Sequence, residues 1–399
     1  MPDFGNELEP FRAEVRSWIE ANFPASLRRG AEAPADPEAA STPSADAELW
    51  RQRMGAKGWG VPTWPTEYGG GGLSPAEARI VVAELARAGA PNPIGGMGVG
   101  MFGPTLLEYG NEAQIAEHIP RIARGEVRWC QGFSEPGSGS DLASLTTKAE
   151  DKGDHFLVNG QKIWNSGGHL ADWCFALVRT DRTRKHEGIS FLLIDMRSPG
   201  VEARPIRMIS GDSFFSEIFF TDVRVPKENL VGPLNGGWTI GKRLMQFERS
   251  GIGGASAFAA GRAPSLGQLA KARNAPVAED GPLADGDLRR RITLYEMADR
   301  AFSLTLQRVA ASGPSASSSI LKNVSSQLRQ ERDELTLEIM GVQGLGAGGD
   351  AFSREDLDAV TGWLFNKCGT IGGGSQEIQD NIIAKRILGL PDHLSASRT

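Results

Sequence analysis

Two segments of this 399-residue sequence have the residue types that suit the binding of a large polar cofactor. The loop at residues 133–144 reads FSEPGSGSDLAS, and its small residues let backbone N–H groups approach a ligand with many acceptors. Ser134 and Ser140 add hydroxyl donors to this loop. Trp164 and Ser166 stand two residues apart on a predicted strand, so they share one face and can flank a flavin ring. Taken singly, the first segment is better explained as a plain surface loop, and the second is slightly better explained as a core tryptophan with an incidental serine.

The composition excludes several classes of partner. The formal net charge of -6 and the isoelectric point near 5.6 leave no basic surface of the kind that nucleic acid or an anionic membrane requires. The three cysteines form no CxxC pair, which fits a reducing, cytoplasmic compartment, and no export signal or long apolar span is recognisable. The five histidines lack metal-binding spacing, so we expect no metal site.

Apolar periodicity predicts helices in the first third of the chain. Apolar residues at three- and four-residue spacing, or typical residues at the helix ends, indicate four helices. These helices are predicted at residues 8–23, 47–57, 75–89 and 104–124. Between the first two, residues 31–46 are rich in Ala, Pro and Ser without periodicity, which predicts a flexible surface connection.

The residue pattern changes from helical to strand-like in the middle of the chain. Five runs of β-branched and aromatic residues at roughly ten-residue spacing predict an antiparallel sandwich or barrel: HFLVNGQKIWNS, WCFALVRTD, ISFLLIDM, VEARPIRMIS and EIFFTDVRVP. Helical patterns return after Gly236 and continue to Leu388, apart from a polar stretch at 274–286 and a Gly-rich segment at 341–349.

Four motifs resemble those of acyl-CoA dehydrogenases: WPTEYGGGGLS, FSEPGSGSD, GQKIWNSGGHLADW and GTIGGGSQEIQDNIIAKRILGLP. They occur in the family's order and are separated by the expected α, β and α segments. The resemblance implies an α+β multidomain fold. Its expected parts are an N-terminal α-helical domain at residues 1–126, a central antiparallel β domain at 127–233 and a C-terminal four-helix bundle at 234–399.

The resemblance also implies FAD as the cofactor, an acyl-CoA as the substrate and an electron-transfer flavoprotein as the electron acceptor. The flavin is expected between the β domain and the C-terminal bundle, with its adenosine end completed by a neighbouring subunit. The residues that match the family's cofactor contacts are Phe133, Ser134, Gly139, Ser140, Trp164, Ser166, Gln343, Gly346, Ser375 and Glu377. Ser140 and Arg249 match substrate contacts. A homotetramer or homodimer is expected, and heteromeric pairing remains open.

The position of the catalytic base departs from the family's usual pattern. Many members carry a glutamate where this chain has Gly373, whose backbone N–H is still expected to polarise the thioester carbonyl. A minority, including isovaleryl-CoA dehydrogenase, carry the base on the first long C-terminal helix before an arginine, which matches Glu248 here. Ile240, Leu244 and Glu248 recur at four-residue spacing, so the carboxylate is expected on an apolar stripe where desolvation raises its pKa. The alternative is a solvated glutamate paired with a neighbouring cation.

Two further departures affect function. The missing side chain at Gly373 favours a branched, cyclic or otherwise bulky acyl group. Most members have an Arg-x-x-Phe-Gly motif that reaches the neighbour's FAD, whereas this chain reads LAKARNAPVAEDGPLADGD and offers only Arg273 as a cation. The alternatives to an acyl-CoA dehydrogenase are therefore a flavin monooxygenase or oxidase on the same fold, or a partner subunit of a heteromeric dehydrogenase.

Overall fold

A computed structural model of the chain describes residues 8–28, 44–260, 264–273, 283–312 and 318–391; of residues 249–260, 310–312 and 318 it describes the backbone alone. The predicted order of N-terminal helices, central sheet and C-terminal helices is confirmed. The chain forms two compact units. The first contains the N-terminal helices and most of the sheet, and the second contains the chain from Met245 onward together with residues 138–142 and 205–215.

Five α-helices are described in the N-terminal part. They are α1 (Glu9–Asn22), α2 (Ala45–Lys57), α3 (Pro75–Arg87), α4 (Gly103–Tyr109) and α5 (Glu112–Ala123). Three of the five, α2, α3 and α5, begin at side-chain caps. Ser44 caps α2, which therefore begins two residues before the predicted start, and Asn111 forms a capping box that separates α5 from α4 within the predicted helix at 104–124. The surface connection predicted at 31–46 falls largely on residues 29–43, which lie outside the described residues.

One carboxylate joins α1 and α3. Glu84 is 2% exposed and accepts from Arg12 at 3.1 Å, from Arg16 at 3.1 Å and from Arg87 at 2.7 Å. Burial raises the pKa of Glu84, but the three guanidinium groups outweigh it and bring the pKa to about 2. We call these four residues the Glu84 cluster. It ties the two helices together beside an apolar core that includes Val15.

The central sheet contains eight strands in the described residues. They are β1 (Trp129–Gly132), β2 (Lys148–Asp151), β3 (His155–Ser166), β4 (Trp173–Arg179), β5 (Ile189–Asp195), β6 (Val201–Ile206), β7 (Phe215–Pro226) and β8 (Leu230–Val231). The order is β6-β7-β3-β2-β4-β5-β8, and β1 pairs with β4. The prediction of antiparallel pairing needs two corrections. β1 runs parallel to β4, with Cys130 opposite Cys174, and β2 also runs parallel to β4, with Lys148 opposite Arg179. Parallel neighbours need a crossover connection, which the residues between β1 and β4 provide.

The C-terminal helices are α6 (Gly237–Ala260), α7 (Leu266–Ala272), α8 (Gly286–Ser312), α9 (Ser318–Met340), α10 (Arg354–Asn366) and α11 (Gln376–Ile382). Within the second unit, α9 packs against α7, α8, α10 and α11 around a core that includes Leu328 and Leu335. The Gly-rich segment predicted at 341–349 contains a short 3-10 turn at Gly341–Leu345. Most of the polar stretch predicted at 274–286 lies outside the described residues. No helix in the described part is long and apolar enough to cross a membrane.

Candidate active site

The backbone of the loop that starts at Phe133 is held by a buried lysine. The Nζ atom of Lys162 on β3 donates to the Phe133 carbonyl oxygen at 3.0 Å and to Glu135 Oε1 at 2.8 Å. Lys162 is fully buried and Glu135 is 7% exposed. The N–H of Ile163 donates to the Ser134 carbonyl oxygen at 3.0 Å. Phe133 and Ser134, both predicted cofactor contacts, are thereby fixed to the strand that carries Trp164.

Both oxygens of the Glu135 carboxylate accept hydrogen bonds. It accepts from the Thr146 N–H at 2.7 Å, from the Thr146 hydroxyl at 2.8 Å and from the Thr147 N–H at 2.8 Å, in addition to Lys162. Burial raises the pKa of Glu135, but the charge of Lys162 and the donors outweigh it and bring the pKa to about 2. Burial lowers the pKa of Lys162, and Glu135 counters that effect. The sequence analysis did not select this pair. The signal that could have found it is a lysine within a strand whose other residues alternate between apolar and polar.

Trp164 and Ser166 lie on the accessible side of β3. Trp164 is 57% exposed and Ser166 is half-buried, whereas Asn165 between them is buried and donates to the Gln131 carbonyl oxygen at 2.5 Å. Trp164 has a φ of 62°, a left-handed conformation that is strained for a bulky side chain. Strained residues persist where the surrounding structure holds them, and they cluster at ligand sites. This strand therefore presents an indole and a hydroxyl on one accessible face.

The glycine-rich loop has one buried hydroxyl that the sequence analysis did not select. Ser138 is 4% exposed, and its Oγ has no hydrogen-bond partner among the described residues. The predicted contacts Gly139 and Ser140 are exposed, and a Cβ at Gly139 would meet no atom within 4 Å. A buried donor that lacks a partner beside open backbone suits a ligand with polar acceptors.

Glu248 lies on α6, one turn after the buried residue Leu244. The side chain of Glu248 is half-buried, so the expected desolvation is partial in this chain. Ile252 and Arg249 also lie on α6, but their side chains are outside the described residues, so the substrate contact expected for Arg249 stays a prediction. Glu248 interacts electrostatically with Lys322 on α9, which is buried.

Lys322 is a second residue that the sequence analysis did not select. It is 2% exposed, and its Nζ has no hydrogen-bond partner among the described residues. Burial lowers the pKa of Lys322, whereas the charges of Glu377 and Glu248 raise it. Lys322 thus connects the predicted base on α6 with the predicted cofactor contact Glu377 on α11.

The segment around Gly373 has a defined backbone conformation. Gly373 has a φ of 68°, in the left-handed region that glycine adopts at little cost, and its carbonyl oxygen accepts from Gln379 Nε2 at 3.0 Å. Gln379 is 1% exposed and was not selected from the sequence. The Ser375 hydroxyl accepts from the Ile378 N–H at 3.4 Å and caps α11. The peptide groups around Gly373 are therefore held in place from within the second unit.

Gln343 and Gly346 lie beyond the opposite end of α9. From Lys322 to the end of the helix at Met340 the axis rises about 27 Å, so these two predicted contacts are far from the group formed by Glu248, Lys322 and Glu377. Gln343 is exposed, and Gly346 is buried where a Cβ would meet the Phe352 ring at 2.4 Å.

Comparison with known proteins gives the same family over the whole length. The family models for the acyl-CoA dehydrogenase N-terminal, middle and C-terminal domains match residues 6–126, 130–223 and 235–388. The acyl-CoA dehydrogenase IpdE1 of Mycobacterium tuberculosis is 36% identical over 390 residues, which is 96% of this chain and 98% of that protein. The chain belongs to the acyl-CoA dehydrogenase family. The predicted family and enzyme class are confirmed, and this acyl-CoA dehydrogenase is an oxidoreductase.

Two solved structures are similar to this acyl-CoA dehydrogenase. The ChsE4-ChsE5 complex from Mycobacterium tuberculosis matches with a TM-score of 0.77 and 30% identity, covering 98% of this chain and 100% of that one. The Tcur3481-Tcur3483 steroid ACAD matches with a TM-score of 0.75 and 28% identity, covering 96% of this chain and 97% of that one. Acyl-CoA dehydrogenases generally bind FAD.

Arg273, the cation that the sequence offers in place of the missing arginine motif, forms an ion pair within its own chain. Its Nη1 donates to Asp356 Oδ1 at 2.6 Å, and Asp356 is 4% exposed at the start of α10. The Ser353 hydroxyl, the Arg273 guanidinium and the local backbone together lower the pKa of Asp356. Arg273 therefore joins α7 to α10 as part of the helical core.

Proposed function

We propose that this acyl-CoA dehydrogenase uses FAD to convert an acyl-CoA thioester into the trans-2-enoyl-CoA, with Glu248 as the base. The observation that carries this proposal is the pairing of two features in the second unit. Glu248 is a half-buried carboxylate within the field of the buried Lys322, and the position where many relatives carry the base is Gly373.

The residues present fit a flavin. Trp164 and Ser166 offer an accessible aromatic and hydroxyl face, and the fixed backbone at Phe133 and Ser134 adjoins the same strand. Ser138 adds a buried hydroxyl that lacks a partner among the described residues. The proposed cofactor contacts also include Gly139, Ser140, Gln343, Gly346, Ser375 and Glu377. When bound, FAD supplies the acceptor for the hydride that leaves the β-carbon.

The protein's own residues carry the proton step. The α-carbon of a thioester holds its proton too tightly to release it unaided, so a positioned carboxylate is needed. Glu248 takes this proton on a carboxylate oxygen, and the Gly373 N–H donates to the thioester carbonyl oxygen, where negative charge develops. Gln379 keeps the following peptide group in place through its hydrogen bond to the Gly373 carbonyl.

The proposed substrate class is a branched, cyclic or otherwise bulky acyl-CoA of lipid catabolism. A glycine at position 373 leaves the space that a glutamate side chain occupies in many relatives. One similar structure is a steroid ACAD, which supports a polycyclic acyl group as the first class to test. We further propose a cytoplasmic location and an electron-transfer flavoprotein as the physiological electron acceptor.

A partner subunit is the second part of the proposal. The chain lacks the Arg-x-x-Phe-Gly motif, and Arg273 is committed to Asp356. Both similar structures bear the names of two proteins, ChsE4-ChsE5 and Tcur3481-Tcur3483. We therefore propose that a second, different subunit supplies the missing cation, with a homo-oligomer as the alternative outcome. Co-expression with candidate partners, followed by measurement of FAD content and mass, distinguishes the two assemblies.

The test of function is an anaerobic titration of the FAD-loaded enzyme with a panel of acyl-CoAs, in which flavin bleaching is followed. Straight-chain, branched and steroid-side-chain thioesters define the substrate class. Glu248→Gln is expected to bind FAD and acyl-CoA normally but to lose flavin reduction by at least about a hundredfold. Glu331→Gln is the matched control, because Glu331 is an exposed carboxylate of α9. Full reduction by Glu248→Gln would place the base on another residue.

A further inference from the structure

Helix α8 has two apolar faces, and one of them is exposed. The covered face packs against α7 and α9 with the core residues Leu288, Ile292, Tyr295 and Phe302. The exposed face carries large apolar side chains that are 52%, 64% and 50% accessible, namely Leu294, Met297 and Leu304. Single exposed apolar residues are common, but a contiguous row of them on a soluble protein marks an interaction surface.

The exposed face has the spacing at which helices pair. Leu294, Met297, Ala301 and Leu304 follow one another at intervals of three, four and three residues, as the a and d positions of a heptad do. We call these four residues the α8 seam. At 3.6 residues per turn the seam lies on the side of α8 that faces away from the covered residues. Its shape therefore fits a second helix with apolar residues at the same spacing.

The charges that border the α8 seam are basic. Arg300 comes directly before Ala301, beside the middle of the seam, and it is exposed. Arg290 lies one turn before Leu294 and is exposed as well. Arg290 forms an ion pair with Asp287 at 2.8 Å, but the two side chains are 62% and 64% exposed, so this pair is weak. A helix that docks on the seam therefore meets a positive border, which acidic side chains complement.

A second copy of this chain does not supply that acidic border. In an antiparallel pair of two α8 seams, Arg300 lies beside the Arg300 of the second copy, and in a parallel pair Arg290 lies opposite its own counterpart. Glu296 and Asp299 of α8 are half-buried toward the covered face, so they do not offset these contacts. Like charges at such positions destabilise a helix pair.

We propose that the α8 seam docks a helix of a second, different subunit, and that this helix has an apolar seam bordered by acidic side chains. The inference deepens the proposed function and rests on that part of it which invokes a partner subunit. Met297 and its apolar neighbours supply the contact area, and Arg300 selects a carboxylate-bearing partner over a second copy of this chain. The proton chemistry assigned to Glu248 is not involved.

The experiment uses the FAD-loaded, full-length chain and takes its Arg300→Glu variant as the acidic probe. Ala301→Cys in both chains places a thiol in the seam, and a short bismaleimide reagent links chains that pair there. One of the two chains is isotope-labelled, so the mass of each product shows which chains it joins. In an equimolar mixture, the product of one Arg300 chain and one Arg300→Glu chain is expected to exceed each same-chain product by about fivefold over random pairing.

Matched controls separate the charge from the apolar contact. Arg354→Glu reverses the charge of an exposed arginine on α10 and is expected to leave the products at random proportions. Met297→Asp in both chains places a charge in the seam and is expected to abolish the linked products. Met297 is exposed, so this variant is expected to stay folded, which circular dichroism checks. Chains that lack Ala301→Cys correct for linking through Cys368, which is half-buried.

Each outcome decides one part of the proposal. If the unmodified seam links to itself as readily as to the Arg300→Glu chain, the occupant is a second copy and the proposal is overturned. Absence of linked products in every mixture overturns it as well, because the seam then binds no helix. Predominance of the mixed product, lost in Met297→Asp, supports it.

Co-expression with candidate partner subunits separates this inference from the rest of the proposed function. Met297→Asp is expected to lose the partner subunit, whereas Glu248→Gln is expected to keep the partner and lose flavin reduction. A partner that Met297→Asp retains would move the interface to another face and leave the base in place. A fully active Glu248→Gln would overturn the base and leave the docking result unchanged.

Discussion

Lys162→Met is expected to destabilise the first unit by about 3 kcal/mol at pH 7. The pKa of Glu135 falls from its ordinary value of 4.5 to about 2 in the folded chain, which corresponds to about 3 kcal/mol of stabilisation of the carboxylate. Burial lowers the pKa of Lys162, which disfavours its charged form. The net stabilisation by the Glu135–Lys162 pair is therefore smaller than about 3 kcal/mol. Removing one partner costs more than the pair is worth, because the remaining charge stays buried.

The pH dependence follows from the sign of the Glu135 shift. A carboxyl whose folded pKa is depressed stabilises the fold above its ordinary pKa, and that stabilisation is lost as the pH falls through the folded value. The difference in free energy of unfolding between the unmodified protein and Lys162→Met should therefore reach its full size at pH 7. It should become smaller as the pH falls from 4.5 to about 2. Equilibrium urea unfolding at a series of pH values measures this difference.

A double variant and a surface control sharpen the test. Glu135→Gln with Lys162→Met removes both charges. The Thr146 and Thr147 N–H groups bind different oxygens of Glu135, so the single Gln oxygen can keep one of these two bonds. The double variant should be less destabilised than the two singles summed, because neither charge is left buried without its partner. Lys148→Met breaks a pair with Glu150 whose side chains are 45% and 42% exposed, and it should cost less than about 1 kcal/mol. A Lys162→Met variant within 1 kcal/mol of the parent, or strictly additive costs, would refute the reasoning.

Two further stability predictions concern the helical parts. Glu84→Gln should lower the free energy of unfolding by about 2 to 3 kcal/mol at neutral pH, because the three arginines then donate to a neutral amide in place of a carboxylate. This loss should shrink as the pH falls from 4.5 toward 2. Urea unfolding measures it, with Glu20→Gln as the control because Glu20 is exposed. Gly346→Ala should lower the free energy of unfolding by about 1 to 3 kcal/mol, because the new Cβ would overlap the Phe352 ring. Gly348→Ala should be nearly neutral, because a Cβ there meets no atom within 4 Å. Equal thermal midpoints of the two variants would contradict this prediction.

The sequence predicted the elements that have strong periodicity and missed those that do not. The run HFLVNGQKIWNS coincides with β3, because alternation of buried and accessible residues is visible over twelve positions. The strands β1, β2 and β8 were missed because they have four, four and two residues, and β2 reads KAED without any apolar alternation. Their pairing with longer neighbours, not their own composition, makes them strands.

The candidate site could be predicted only where a motif carried it. Phe133, Ser134, Trp164 and Ser166 were selected from the loop and strand motifs. In the first unit Trp164 is exposed, Ser134 and Ser166 are half-buried and Phe133 is buried, so any contact of Phe133 with the cofactor falls to its backbone. Lys162 and Lys322 were missed because a lysine is usually solvated, and a single sequence does not reveal which lysine a fold buries. Glu248 was selected because it matches the family's alternative base position and shares four-residue spacing with Ile240 and Leu244. Its half-buried state depends on side chains that are distant in sequence.

Hydrogen-bond satisfaction distinguishes two kinds of buried charge in the described part of this protein. The Glu84 carboxylate accepts from three guanidinium groups, and Lys162 donates to a carboxylate and a carbonyl, so both are complete within the described chain and need no ligand. Lys322 is equally buried but has no hydrogen-bond partner there, and the charges that compensate it belong to Glu377 and the proposed base Glu248. Replacement of a buried ionic group by a well-packed apolar side chain is often neutral or stabilising. A buried ammonium without a hydrogen-bond partner, as in Lys322, therefore favours a role beyond filling this volume.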